Sequence, residues 1–100
     1  MKDFQKEITP LAPDDLFIVL NHHPAKFDYP VHHHSDFEIN LVINTQGRRV
    51  VGDSIEEFSI LDLVMIGPNI PHAWFGKTED NNHVVTIQFS DKLLNCLSSA

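Results

Sequence analysis

The sequence is poor in cysteine, in cationic side chains and in long apolar runs, and each scarcity removes a class of protein. A lone cysteine, Cys96, excludes an intrachain disulfide. Seven Lys and Arg, scattered along the chain against fourteen Asp and Glu, leave a formal charge of −7. Such a chain has no basic patch with which to grip a phosphate backbone. The start of the sequence lacks a basic region followed by an apolar run of about 7–15 residues, so no signal peptide is readable. Its longest strictly apolar run, Leu16 to Leu20, falls far short of the roughly 20 residues that cross a bilayer. A soluble, cytoplasmic protein without a membrane partner is the expectation. There is no Gly-rich phosphate loop, Ser35 beside His34 is not a nucleophile arrangement, and Cys96 sits near the end of the chain. No catalytic residue is therefore expected outside metal chemistry: if the chain is an enzyme, it is a metal-dependent one.

What is present is a strand pattern. One hundred residues with 42% hydrophobic content suffice for one domain that buries roughly 60–65% of its unfolded surface. Short β-like runs follow one another: Leu16 to Leu20, Phe37 to Asn44, Arg48 to Val51 after a Thr45-Gln46-Gly47 turn, Ile55 to Ile60, Leu63 to Ile66, Ala73 to Phe75 and His83 to Phe89. Seven or so short strands with frequent turns predict an all-β sandwich or barrel. Residues 1–14, with Pro10 and Pro13, suit an extended arm or an edge strand. From Ser90 the pattern becomes helical, with Asp91 in the first turn and Leu93, Leu94 and Leu97 on one face. A helix this short is marginal alone, so residues 91–100 read as the start of a helix in a chain that continues beyond Ala100.

Candidate metal ligands fall into two groups, His32, His34 and Glu38 in one segment and His72 in another. Side chains two residues apart on a strand share a face, so the first three are expected to converge from one strand. His72 would join them from a second strand, at the Gly67-Pro68-Asn69-Ile70-Pro71-His72 turn. Imidazoles with one carboxylate suit a divalent transition metal such as Zn²⁺, Ni²⁺, Fe²⁺ or Mn²⁺, leaving a position open to water or a bound molecule. The duller alternative is a solvated histidine run from 32 to 34 and a hydrogen-bonded turn residue at 72. On Phe37 to Asn44 the even positions are Glu38, Asn40, Val42 and Asn44. The pocket reading turns them toward a polar lumen, and a bulge between His34 and Glu38 would break it. Asn40, Trp74 and Gln88 are the candidate ligand-binding residues, Trp74 either as an aromatic wall or as filling for one end of the barrel.

These motifs resemble a known family. His32-x-His34-x3-Glu38 is similar to the first cupin motif, and Leu61-Asp62 through His72 to the second, with Leu61, Gly67 and Asn69 departing from its turn residues. Gly47 to Trp74 resembles the N-terminal cupin-type effector-binding domain of AraC-type bacterial transcription regulators. The resemblance, over roughly residues 16–90, implies a cupin-like double-stranded β-helix, or jelly-roll barrel, over 15–90. It further implies a sensing domain that is not an enzyme, a small-molecule effector in the lumen, a homodimer, and DNA binding only through a C-terminal helix-turn-helix part that this chain lacks. A stand-alone small cupin metalloenzyme, dioxygenase or isomerase in type, is the competing expectation.

Overall fold

Alternating branched apolar and polar residues build seven strands and one helix in a computed structural model that describes residues 5–23, 27, 31–76 and 81–98. In chain order they are β1 (Gln5–Lys6), β2 (Phe17–His22), β3 (His32–His33), β4 (Phe37–Val51), β5 (Ser54–Ile66), β6 (His72–Gly76), β7 (His83–Phe89) and α1 (Asp91–Ser98). The expected arm, the loop after Gly76 and the end of the helix include residues 1–4, 77–80 and 99–100, which lie outside the described residues. No helix among the described residues is long and apolar enough to cross a membrane.

Two long strands organise the rest. β4 and β5 form a hairpin across the Gly52-Asp53 turn, from Val51 paired with Ser54 out to Glu38 paired with Ile66. The expected break at Thr45-Gln46-Gly47 is absent, as is the break before Leu63: the hydrogen-bond ladder runs through both. Instead the hairpin bends. A register shift leaves Asn44 unpaired between Ile43 and Thr45, with Asn44 at φ 62° and Ile60 at φ 69°. Asparagine visits the left-handed region readily, whereas a β-branched residue there costs on the order of 1–2 kcal/mol. The paired backbone on both sides holds Ile60 in that corner.

The bend divides the pairing into two groups. Beyond it, residues 37–43 of β4 lie between β5 and β7, and β2 pairs with the far side of β7. Before it, residues 47–51 pair with β6, which pairs with β3, which takes β1 as a parallel edge. The result is a mostly β fold with the strand topology of a cupin-like jelly roll and one C-terminal helix. A closed barrel was expected; among the described residues the strand order runs from β1 to β2 without a pairing that joins those two ends. Val42, Phe58, Ile66 and Trp74 form the buried core between the two groups, with Val51, Val64 and Val84 against it. Ser90 caps α1, its hydroxyl accepting from the Lys92 N–H at 3.2 Å.

Gly47 owes its place to a close approach rather than to a turn. Directly opposite Gly76 of β6, it leaves so little room that an added Cβ would lie 1.9 Å from the Phe75 carbonyl oxygen. Gly52, in the hairpin turn, has φ +61°, and a Cβ there would meet only the Ile70 side chain, at an ordinary contact distance of 3.6 Å. Gly47→Ala is therefore expected to cost about 3 kcal/mol or more, because backbone must move. Gly52→Ala should cost only about 1–2 kcal/mol, the left-handed penalty. Urea unfolding of both variants checks the order; equal losses would show that β4 and β6 do not approach closely at Gly47.

Candidate metal centre

The pairing of β3 with β6 places His32 directly opposite His72, and opposed residues of an antiparallel pair share a face. Their ring centroids are 4.3 Å apart. His34 follows just after β3, where its carbonyl accepts from the Asn69 N–H at 2.6 Å; this bond ties the Gly67–Pro71 turn to the histidine segment. Glu38 comes from β4. The four residues thus arrive on β3, just after it, on β4 and on β6, which corrects the expectation of three ligands on a single strand, while His72 comes from a second strand at the end of the Gly67–Pro71 turn. One donor atom from each of His32, His34 and His72 lies within 4.8 Å of the others. A Glu38 carboxylate oxygen is 2.9 Å from His34 Nε2 and 3.8 Å from His72 Nε2.

The histidines are held by their far sides. His34 Nδ1 lies 3.0 Å from the Asp36 carbonyl and His72 Nδ1 2.7 Å from the Ile70 carbonyl. A carbonyl can only accept, so both Nδ1 atoms donate; neutral His72 then carries its free lone pair on Nε2, and His34 does so once Nε2 has lost the proton it donates to Glu38. This is the support that orients metal-ligating imidazoles. His72 is 1% exposed, and its Nε2 has no hydrogen-bond partner. A buried polar atom left without a partner is costly, and a cation at the shared point would satisfy it. The three imidazoles and the carboxylate fit a divalent transition ion in donor type, orientation and proximity.

Charges in the cluster are strongly linked. For Glu38, burial opposes ionisation, but the His34 hydrogen bond, the charges of His72 and His34 and a hydrogen bond from Gln88 outweigh it and hold the carboxyl below its usual range. For His34, burial disfavours the cation, yet the Glu38 hydrogen bond and charge raise its pKa. Burial dominates at His72 and lowers its pKa, against the Ile70 hydrogen bond and Glu38.

Asn40, Trp74 and Gln88 are all buried. Asn40 accepts a hydrogen bond from the Thr86 hydroxyl. Trp74 approaches His72 with ring centroids 6.2 Å apart and donates from its indole N–H to Asp62 at 3.1 Å. The Oε1 atom of Gln88 is buried without a partner. Asn44 lies at the bend, exposed, with its amide bound to the Asn81 carbonyl, and does not join the others. Two groups escape the sequence reading. Arg49 and Asp62 form a 3.2 Å ion pair behind Trp74, because the bulge at Asn44 reverses the inward parity of β4. Glu7 brings a carboxylate oxygen to 3.5 Å from His32 Nε2 and 3.9 Å from His34 Nε2; its approach depends on β1 pairing with β3, for which no local signal exists.

No family model and no curated protein matches the sequence. A solved structure does match in shape, a cupin 2 conserved barrel domain protein from Rhodopseudomonas palustris, with a TM-score of 0.56, 16% identity and coverage of 79% of this chain. This chain spans 55% of that protein's length. The likeness establishes a cupin-like fold and goes no further; it carries no link to AraC-type regulators. The expectation of a non-enzyme is corrected by the histidine cluster. A largely buried set of three imidazoles is a candidate metal and catalytic site, consistent with enzymatic cupins rather than with a purely non-catalytic domain.

The charge linkage yields a titration test. In metal-free protein, Glu38→Gln removes the charge that raises the His34 pKa while leaving the ring buried, so the His34 midpoint should move down. Imidazole NMR titration reads this directly. An unmoved midpoint would mean that Glu38 does not control the protonation of His34.

Proposed function

We propose that this chain is a metal-dependent cupin domain of the small metalloenzyme type, dioxygenase or isomerase in kind, in which His32, His34, Glu38 and His72 hold one divalent transition ion. The observation that carries the reading is His72 Nε2, buried and unpartnered at the point where the other donors converge. Such an ion, when bound, polarises a substrate oxygen or activates O₂. The chain's own residues orient and exclude. The Asp36 and Ile70 carbonyls fix the His34 and His72 rings. Glu38, kept anionic, serves as ligand or base. Gln88 Oε1, buried beside Glu38, is the polar atom best placed to meet a bound organic molecule, with Trp74 as apolar wall and Asn40, engaged by Thr86, as a more rigid neighbour.

Elemental analysis of protein purified without a polyhistidine tag tests the reading. About one Zn, Fe, Mn or Ni per chain is expected, lost in Glu38→Ala and His72→Ala. Added metal at about 100 times its dissociation constant should stabilise the folded protein by roughly 2.7 kcal/mol. Folded wild type that neither retains nor is stabilised by any of these ions rejects the proposal.

A second reading is a sensing and dimer-forming domain of an AraC-type regulator, with residues 1–14 as arm, 15–90 as sensing domain and 91–100 opening a helix toward a DNA-binding part. The resemblance of Gly47 to Trp74 supports it, as does one surface. Leu61, Leu63 and Met65 of β5 are 59% to 66% exposed on the outer face, and Phe17 and Val19 of β2 are exposed at its other edge. Contiguous apolar surface of this kind marks association sites, and a second copy is the proposed occupant. Leu63→Lys with Met65→Lys should shift sedimentation from dimer to monomer with metal content unchanged. Wild type that is monomeric at all concentrations removes this support.

A further inference from the structure

We propose that Glu7 is a further donor of the metal centre, a second carboxylate carried into it by the N-terminal strand; this rests on the metal reading above. Three observations bring Glu7 there. Its carboxylate oxygen stands 3.5 Å from His32 Nε2 and 3.9 Å from His34 Nε2. Neither separation is that of a good hydrogen bond. The first matches the spacing of roughly 3–3.5 Å between donor atoms that share one ion at about 2.0–2.2 Å, and the second lies only a few tenths of an ångström beyond it. Glu7 thus faces the cluster from the side opened by His32, the least buried of the three histidines.

The backbone is anchored to hold it there. The Glu7 N–H donates to the His33 carbonyl at 2.8 Å, Gln5 and Lys6 pair with His32 and His33, and the Thr9 hydroxyl donates to the Asp36 carboxylate. Every one of these contacts ends on the segment that bears His32 and His34. The neighbouring Ile8 is 93% exposed, so the strand is not placed by apolar burial at that position. Charge points the same way. With neutral imidazoles, Glu38 and Glu7 give the centre two negative charges, the complement of a divalent cation. β1 is only two residues long and lies at the end of the strand order, which makes Glu7 the most readily exchanged donor of the set.

Co²⁺ titration of the full chain tests this, with affinity read by competition against a chromophoric chelator and the donor set read from the visible d–d spectrum. Glu7→Gln keeps size and polarity but weakens the donor. It should bind Co²⁺ at least about tenfold more weakly than wild type, with an altered spectrum and an unchanged melting temperature in the absence of metal. Wild-type affinity and an identical spectrum in Glu7→Gln, with binding lost in His72→Ala, would reduce Glu7 to an ion-pair partner of His32 and overturn the proposal alone. A wild type that binds no Co²⁺ overturns this proposal and the metal reading together.

Discussion

Glu38 is the group on which the arrangement turns. A carboxylate 5% exposed is tolerable only if its charge is answered at close range, since an isolated buried charge is prohibitively costly. His34, His72 and Gln88 supply the answer. Each of those residues is in turn fixed elsewhere: His34 by Asp36 and Asn69, His72 by the Ile70 carbonyl, and Gln88 by its register opposite Glu38 in β7. The polar interior and the strand pairing are therefore one problem. A shift of one residue in β4 against β7 would replace Glu38 by Phe37 or Ile39 and leave the imidazoles without their anion.

The bend at Asn44 performs a second task. Up to Val42 the even residues of β4 face inward; after it Thr45 is buried and Arg49 meets Asp62. One strand thereby contributes a carboxylate to the candidate centre in its first half and a cation to a buried ion pair in its second. The Arg49–Asp62 pair also receives the Trp74 indole N–H, which satisfies the polar tip of a core aromatic and holds the ring beside His72.

Period-two alternation makes Glu38, Asn40 and Val42 legible as one face of a strand, but by itself it would bury the apolar odd face, and only the ligand-type residues argue for turning the even face inward. His83 to Phe89 is legible from its branched residues after a polar loop, and Ser90 as a helix cap. The single hairpin of β4 and β5 is not legible: Gly47 and Gln46 read as a turn, since nothing local reveals that the glycine is there to admit the Phe75 carbonyl from another strand. The reversal of parity at Asn44 is hidden for a similar reason, because an asparagine in a strand pattern does not announce a left-handed backbone.

Residue type and spacing by themselves determined that the chain is β-rich, acidic and lacking disulfides, and that His32, His34, Glu38 and His72 are the ligand-type residues worth bringing together. These follow from short-range sterics and from the chemistry of the side chains. Only the tertiary structure decided how they meet: His32 against His72 across a strand pair, His34 pinned after β3 by Asn69, and Glu7 brought in by a parallel edge strand whose Gln5 and Lys6 pair with His32 and His33. Pairing between distant strands is set by the burial and hydrogen-bond demands of the whole sheet, and no single segment of the sequence encodes it.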